Sequence, residues 1–485
     1  MKKQLLAFIA AILSITGFSQ TNAGVTFFSS DTALQEAFNR AKAMALRYKG
    51  KPGDAVGAWY ESALPPRSAF CMRDVSHQCI GGEILGLSAA NRNMLYLFAK
   101  NISESKDWCS YWEMNKYGKP APEDYRNDTA FWYNLNANFD VMQACWQLYL
   151  WTGETRYIQD PVFRNFFDRT VNDYIKTWVL QPDSLLSRPA YPYAPKNFNE
   201  ADAFQRCRGL PSYSEGVPGI KMGVDLVAAI YRGLEAYAGI LQWRGDTHGA
   251  QLWQAKAAQY RQEIDRRWWD DKAGLYNTYY TKQGGFGKSE GETFLLWFDA
   301  LKDSVRKRKT IQHLLLNDWN VENQSYFPVI LYREGYYADG YRYILHLTDP
   351  ATKRREYPEV SFGVIRGITE GLMGIAPDAR NNSILTLYKG NTANTCTIQH
   401  VPVLGTTVSV THVGDTLTIF TNHAQKTVRW RAAFRSNSPA LVAAGKMVES
   451  KHMTLPGGET VVYTDVAVAP GKTITVSVNA TQAVK

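Results

Sequence analysis

Along the first three-quarters of the chain, apolar residues recur at steps of three or four. Phe131, Leu135, Phe139, Met142, Trp146 and Leu150 form one stripe, and Leu226, Ile230, Leu234, Tyr237 and Leu241 form another. Such spacing gives a helix one apolar face to bury. Similar stripes cover 33–46, 84–98, 163–178, 252–268, 294–301 and 360–373, with Gly, Pro and Asn clusters between them, so the pattern predicts a serial array of helices. Near residue 380 the period drops to two. Strict alternation in Thr416-Leu417-Thr418-Ile419-Phe420-Thr421 and in Lys472-Thr473-Ile474-Thr475-Val476-Ser477-Val478 predicts strands with one apolar face,.

Composition places the same boundary. Thirteen of the 14 Trp precede residue 320, whereas Val and Thr supply 32 of the 103 residues from Ser383 onward. The chain reads as a mainly α domain over 24–380 followed by a smaller all-β domain over 381–485, the latter an antiparallel sandwich. About ten helices without βαβ alternation or a short repeat pack most simply as helical hairpins closed into a toroid. Its loops at one end then overlie a central cavity.

The chain has 485 residues, 45% hydrophobic and 20% charged, which excludes a disordered protein. The balance of +9 is spread along the chain with a single short basic run, Arg306-Lys307-Arg308-Lys309, and is not a nucleic-acid footprint,. At the start, Met1-Lys2-Lys3, the apolar run Leu5–Ile15 and the small residues of Thr21-Asn22-Ala23 form a secretory leader over 1–23,. The expectation is a secreted, periplasmic or cell-surface protein with no membrane span. Its mature charge is nine minus the two lysines, +7. Six cysteines without a CxxC or Cys/His cluster argue against structural zinc and read as buried small hydrophobes or one or two incidental bridges,. No metal or organic cofactor is indicated.

Candidate chemistry collects in the segments between stripes. In Phe70-Cys71-Met72-Arg73-Asp74-Val75-Ser76-His77-Gln78, Arg73 is a planar donor and Asp74 an acceptor, a pair that suits adjacent sugar hydroxyls and equally suits a local ion pair,. Trp112, Trp132, Asn134, Asn138 and Asp140 mix flat rings with amides and a carboxylate, as a pyranose with C–H faces and a hydroxyl rim requires,. Tyr213-Ser214-Glu215-Gly216 places a carboxyl beside Tyr and apolar groups, where a raised pKa would suit a proton donor; the competing reading is an exposed loop glutamate near a helix start,. In Arg354-Arg355-Glu356-Tyr357-Pro358-Glu359, arginine neighbours keep a carboxylate ionised as a base must be; the competing reading is a helix cap and a surface pair,.

The early Arg-Asp loop, mid-chain acidic loop, late Glu-bearing loop and trailing β-module together resemble the six-hairpin glycosidase superfamily over roughly Ala33 to Asp378. That resemblance implies an (α/α)6 barrel, and the Arg-Asp segment is similar to the substrate-gripping loop of exo-acting mannosidases and glucoamylases. It implies Glu215 as acid and Glu356 as base, with Asp140, Asp225, Glu292 and Glu359 as substitutes, and Arg73 and Asp74 holding the terminal sugar. His77, Gln78 and Tyr213 join the substrate-binding set. The chain lacks the Trp-Asp signatures of trehalases and the Asp-rich acid motif of rhamnosidases. The expected activity is exo-glycoside hydrolysis of an oligosaccharide by inversion with two carboxyl groups. Two other readings stand beside it: a lyase acting on a uronate glycan through His77, Tyr213, Asn134 and Arg73, and a carbohydrate-binding protein without turnover.

Overall fold

A computed structural model describes residues 24–478 apart from Pro66; the expected leader over 1–23 lies outside the described residues. Among the described residues twelve α-helices of six or more residues follow one another before residue 370. They are α1 (Thr32–Arg47), α2 (Met72–Ile84), α3 (Ser88–Lys100), α4 (Ala137–Thr152), α5 (Pro161–Arg169) and α6 (Val224–Trp243). The series continues with α7 (Thr247–Glu263), α8 (Glu292–Trp297), α9 (Ser304–Leu316), α10 (Val321–Arg333), α11 (Tyr337–Thr348) and α12 (Pro358–Arg366). Their starts follow capping chemistry. Asp31 accepts from Leu34 N, Asp160 precedes Pro161 and accepts from Val162 N, and Asn320 accepts from Asn323 N, satisfying donors that a helix start leaves free.

The even-numbered helices differ from the odd ones. α2 and α6 are buried along most of their length, whereas α7 buries the single face of Ala250, Trp253, Ala257, Tyr260 and Glu263. A helix apolar all round needs neighbours on every side, and the contacts supply them. α2 packs on α4, α4 on α6, α6 on α8, α8 on α10, α10 on α12, and α12 returns to α2, while α3, α7, α9 and α11 back onto α2, α6, α8 and α10. Glycines permit the closest approaches: a Cβ on Gly81 in α2 would stand 2.5 Å from Phe362 O in α12, and one on Gly363 would strike Ser325 O in α10.

Among the described residues two large sheets stand beside five small ones of two or three strands. The seven-stranded one runs Thr26–Ser29, Thr395–Val403, Thr406–Val413, Leu417–Asn422, Thr473–Val478, Ala440–Ala443, Lys446–Glu449; the five-stranded one runs Ala376–Asp378, Ser383–Leu387, Val428–Phe434, Thr460–Val468, Lys451–Thr454. Phe420 of the first stacks on Trp430 of the second at 5.0 Å, joining their inner faces,. Two expectations are corrected. The module is not wholly antiparallel, because Ser383–Leu387 runs parallel to Val428–Phe434. Nor does it begin at 381, since the strand Thr26–Ser29 from the other end of the chain pairs with Thr395–Val403 and Ala376–Asp378 opens the second sheet. All six cysteines are buried and free, so no bridge forms among them. No described helix is long and apolar enough to cross a membrane.

Candidate active site

The starts of alternate helices meet. Arg73 and Asp74 open α2, Glu290 precedes α8, Glu322, Asn323 and Tyr326 lie in the first turns of α10, Glu359 is the second residue of α12, and together with Tyr213 and Phe294 they line one hollow. Arg73 Nε donates to Asp74 Oδ1 at 2.8 Å, its guanidinium lies 5.1 Å above the Tyr213 ring, and Nη2 stands 4.0 Å from Glu322 Oε2. Arg354 faces the other oxygen of Glu322 at 3.7 Å. Glu290 Oε2 accepts from Asn320 at 2.6 Å and from Asn323 at 2.7 Å.

Four carboxyls sharing one hollow repel one another. Burial, then the charges of Asp74 and Glu322, push the Glu359 carboxyl well above the ordinary range, and Arg73 opposes the shift. Burial also raises Glu322, with Arg73 again pulling it down. Asp74, Glu322 and Glu359 all sit in first helical turns, where backbone N–H groups and the helix dipole favour negative charge,. Buried carboxyls pushed upward and gathered in one hollow are the arrangement that acid–base chemistry uses,.

Glu215 sits beside this hollow on the loop before α6, in the wall of a groove of about 440 Å³ that also includes Trp132, Tyr191, Arg206 and Lys282. The residue has an exposed outer face, but protein crowds its carboxyl. Burial pushes it upward, while the charge of Arg73 and a 3.0 Å hydrogen bond from Asn134 Nδ2 hold it back. Trp132 Nε1 donates to Asn134 Oδ1 at 3.2 Å, so the ring, amide and acid act as one assembly. Asp225, fully buried in α6, accepts from Ser212 Oγ at 2.9 Å, Tyr213 N at 2.6 Å and Asn136 Nδ2 at 3.1 Å, which pins the loop carrying Glu215; burial pushes its pKa up to about 6.

The remaining expected residues divide. His77 and Asp140 lie beneath the hollow: His77 Nδ1 is 2.8 Å from Tyr326 OH, its Nε2 is 3.2 Å from Asp140 Oδ1 without hydrogen-bond alignment, and Tyr213 OH donates to Asp140 Oδ2. They fix the two tyrosines rather than line the hollow. Gln78 is buried deeper in α2. Trp112 packs in the core against Tyr133, and Asn138 is consumed by Tyr133 OH, Thr170 Oγ1 and Trp108 O, so neither reaches the hollow or the groove. Glu292 is buried against His313 Nδ1 at 2.6 Å. Glu356 is corrected: it occupies an exposed turn, its carbonyl accepts from Tyr48 OH, and Glu359, one helical turn on, faces the hollow. Pro358 starts α12 between them and turns the chain inward.

Sequence reasoning missed Glu322, Asn323 and Tyr326, and within the segment Ser289-Glu290-Gly291-Glu292-Thr293-Phe294 it chose Glu292 where the hollow takes Glu290 and Phe294. A signal existed: Asn317-Asp318-Trp319-Asn320-Val321-Glu322-Asn323 is a polar cluster at the start of an apolar helix, in the same relation to α10 as Arg73-Asp74 to α2.

Comparison with known proteins places this geometry. The family model for trehalase matches residues 214–320, which begin beside Glu215 and run through α9. No curated protein matches. Among solved structures, an alpha-L-rhamnosidase from Dictyoglumus thermophilum superimposes with a TM-score of 0.59 at 10% identity, covering 94% of this chain and 50% of its own. A rhamnosidase of Bacillus sp. GL1 gives 0.54 at 12% identity over 83% and 41%, and a putative kojibiose phosphorylase from human microbiome gives 0.52 at 11% over 96% and 68%. The chain has the six-hairpin glycosidase fold. It spans half or less of the length of the two rhamnosidases. Within the six-hairpin fold its hollow lies at the helix starts, and Glu215 stands at the edge of the segment shared with the trehalase family.

Proposed function

We propose that this chain is an exported, exo-acting glycoside hydrolase whose α2, α4, α6, α8, α10 and α12 form the inner ring of an (α/α)6 toroid. The closed cycle of helix contacts supports the ring, and the leader-like start supports export. The observation that carries the activity is the meeting of Arg73, Asp74, Glu322 and Glu359 in one hollow beside Glu215. A terminal sugar binds at the hollow, whose free space of about 30 Å³ has to widen to admit it. Arg73 and Asp74 then grip vicinal hydroxyls as donor and acceptor. Glu215, in the wall of the outer groove where the leaving group lies, donates the proton to the glycosidic oxygen, and Glu359, at the inner side, activates water.

Charge selects among the alternatives. Four carboxyls against an arginine already paired suit a neutral sugar and repel both a uronate and the phosphate that a phosphorylase must bind,. The test is a panel of neutral and uronate-terminated oligosaccharides with wild type, Glu215→Gln and Glu359→Gln. Expected are monosaccharide release from a neutral member without added phosphate, no ultraviolet-absorbing product, and kcat lower by about 10²–10⁴-fold in each variant with binding kept. Turnover undiminished in both variants would remove the assignment.

A further inference from the structure

Beyond Glu359 lies a second, smaller chamber of about 20 Å³, walled by His77, Gln78, Trp297, Tyr326, Glu359 and Arg366 among others. Glu359 and Tyr326 border both this chamber and the hollow. Its polar groups have few protein partners. Gln78 is 4% exposed, and neither its Nε2 nor its Oε1 makes a hydrogen bond to another protein group; the same holds for Trp297 Nε1 and Arg366 Nη1, each on a residue 6% exposed. Arg366 is otherwise tied to Glu370 through Nε at 2.6 Å, and its guanidinium lies 5.0 Å over the Trp297 ring. Donors of three side chains and the acceptors of Gln78 and Glu359 therefore belong to residues that wall a space of about one water. A buried water needs roughly 10–15 Å³ and two to four polar partners, and leaving such buried groups unsatisfied is costly.

We propose that the chamber is a binding site for a single ordered water that donates a hydrogen bond to the Glu359 carboxyl, which makes Gln78 a positioning residue for the base. The inference rests on the hydrolase reading for its consequence but not for its existence. Trp297 Nε1 and Arg366 Nη1 donate to the water oxygen, which orients its hydrogens toward Gln78 Oε1 and Glu359. A hydrogen bond donated to a carboxylate favours the charged form. It therefore offsets the push that burial and the charges of Asp74 and Glu322 impose on Glu359. The other groups around that carboxyl are Arg73 and His77 from α2, Glu290 from the turn before α8, Tyr326 from α10, Tyr48 just after α1, Arg354 from the preceding turn and Arg366 from its own helix.

The test uses the full chain. A crystal structure that resolves solvent is expected to show one water within hydrogen-bonding distance of both Gln78 and Glu359; a chamber that is dry or filled by a side chain overturns the site. Gln78→Met keeps the length of the side chain and removes its polar atoms, and Trp297→Phe keeps a ring and removes the donor. Either removes one of the water's partners, loosens its hold on the carboxyl and is expected to raise the protonation midpoint of Glu359, followed by infrared difference spectroscopy, which needs no substrate. Turnover then gives a second reading: the acid limb of kcat moves to higher pH with KM little changed. A midpoint unmoved in both folded variants overturns the coupling to Glu359, whereas a moved midpoint with no turnover on any glycan spares the chamber and sinks the hydrolase reading instead.

Discussion

Arg73 and Glu322 show how one charge sets another's chemistry. Glu359 is held above the ordinary carboxylate range by burial and by the negative charges of Asp74 and Glu322, against Arg73. Making Glu322 neutral as Glu322→Gln removes one source of repulsion, so the Glu359 value falls. If Glu359 acts ionised, as a base, the acid limb of the kcat profile moves to lower pH by roughly one pH unit. A limb that stays put or moves upward in this variant would exclude Glu359 as the base. The same residue scale explains the correction at Glu356. Two glutamates three apart are equivalent on paper, but only one helical turn of rotation separates an exposed turn from the hollow, and Pro358 decides where that turn begins.

Inner helices approach each other through glycine. Gly363 in α12 lies against the backbone of Ser325 in α10, and Gly81 in α2 against Phe362 in α12. These contacts join the helices that carry Glu322, Glu359 and Arg73. A methyl group at 363 meets backbone rather than a side chain that can swing away, so α10 and α12 must separate. Gly363→Ala is therefore expected to lower stability by about 1–3 kcal/mol, measured by denaturant unfolding, and to lower kcat as the two helix starts drift. A neutral outcome in both would mean that the helices slide apart freely. The stripes of apolar residues at a period near 3.6 revealed the helices themselves, including α4 and α6. Which helices lie inside showed in the continuity of their apolar surface, as in α6 against α7.

The helical unit and the sheets share one core. The N-terminal strand Thr26–Ser29 is an edge strand of the seven-stranded sheet, Trp151 Nε1 of α4 donates to Pro402 O at 2.7 Å, and His412, buried in that sheet, meets Met373 O at 3.1 Å. Their apolar side chains form one continuous cluster. Cooperative loss of both units is the consequence. Calorimetry of the full chain is expected to give a single unfolding transition, and a chain cut at residue 380 should lose solubility because Thr26–Ser29 and the faces beneath the module are uncovered. Two well-separated transitions would show that the units stand alone.

Helices, strands and the change of regime near residue 380 were legible because each is written in short-range periodicity, which depends on side-chain direction along one backbone. The pair Arg73-Asp74, which the structure places in the first turn of α2 rather than in a loop, and the acidic position 215 stood out for a related reason, since polar residues interrupting apolar stripes are visible locally. The partnership of Arg73 with Glu322 and Glu359, the choice between residues 356 and 359, and the seating of the first strand in the last domain join positions up to several hundred residues apart. Those depend on how twelve helices pack, and no local pattern encodes a distance between side chains that meet only when the core has closed.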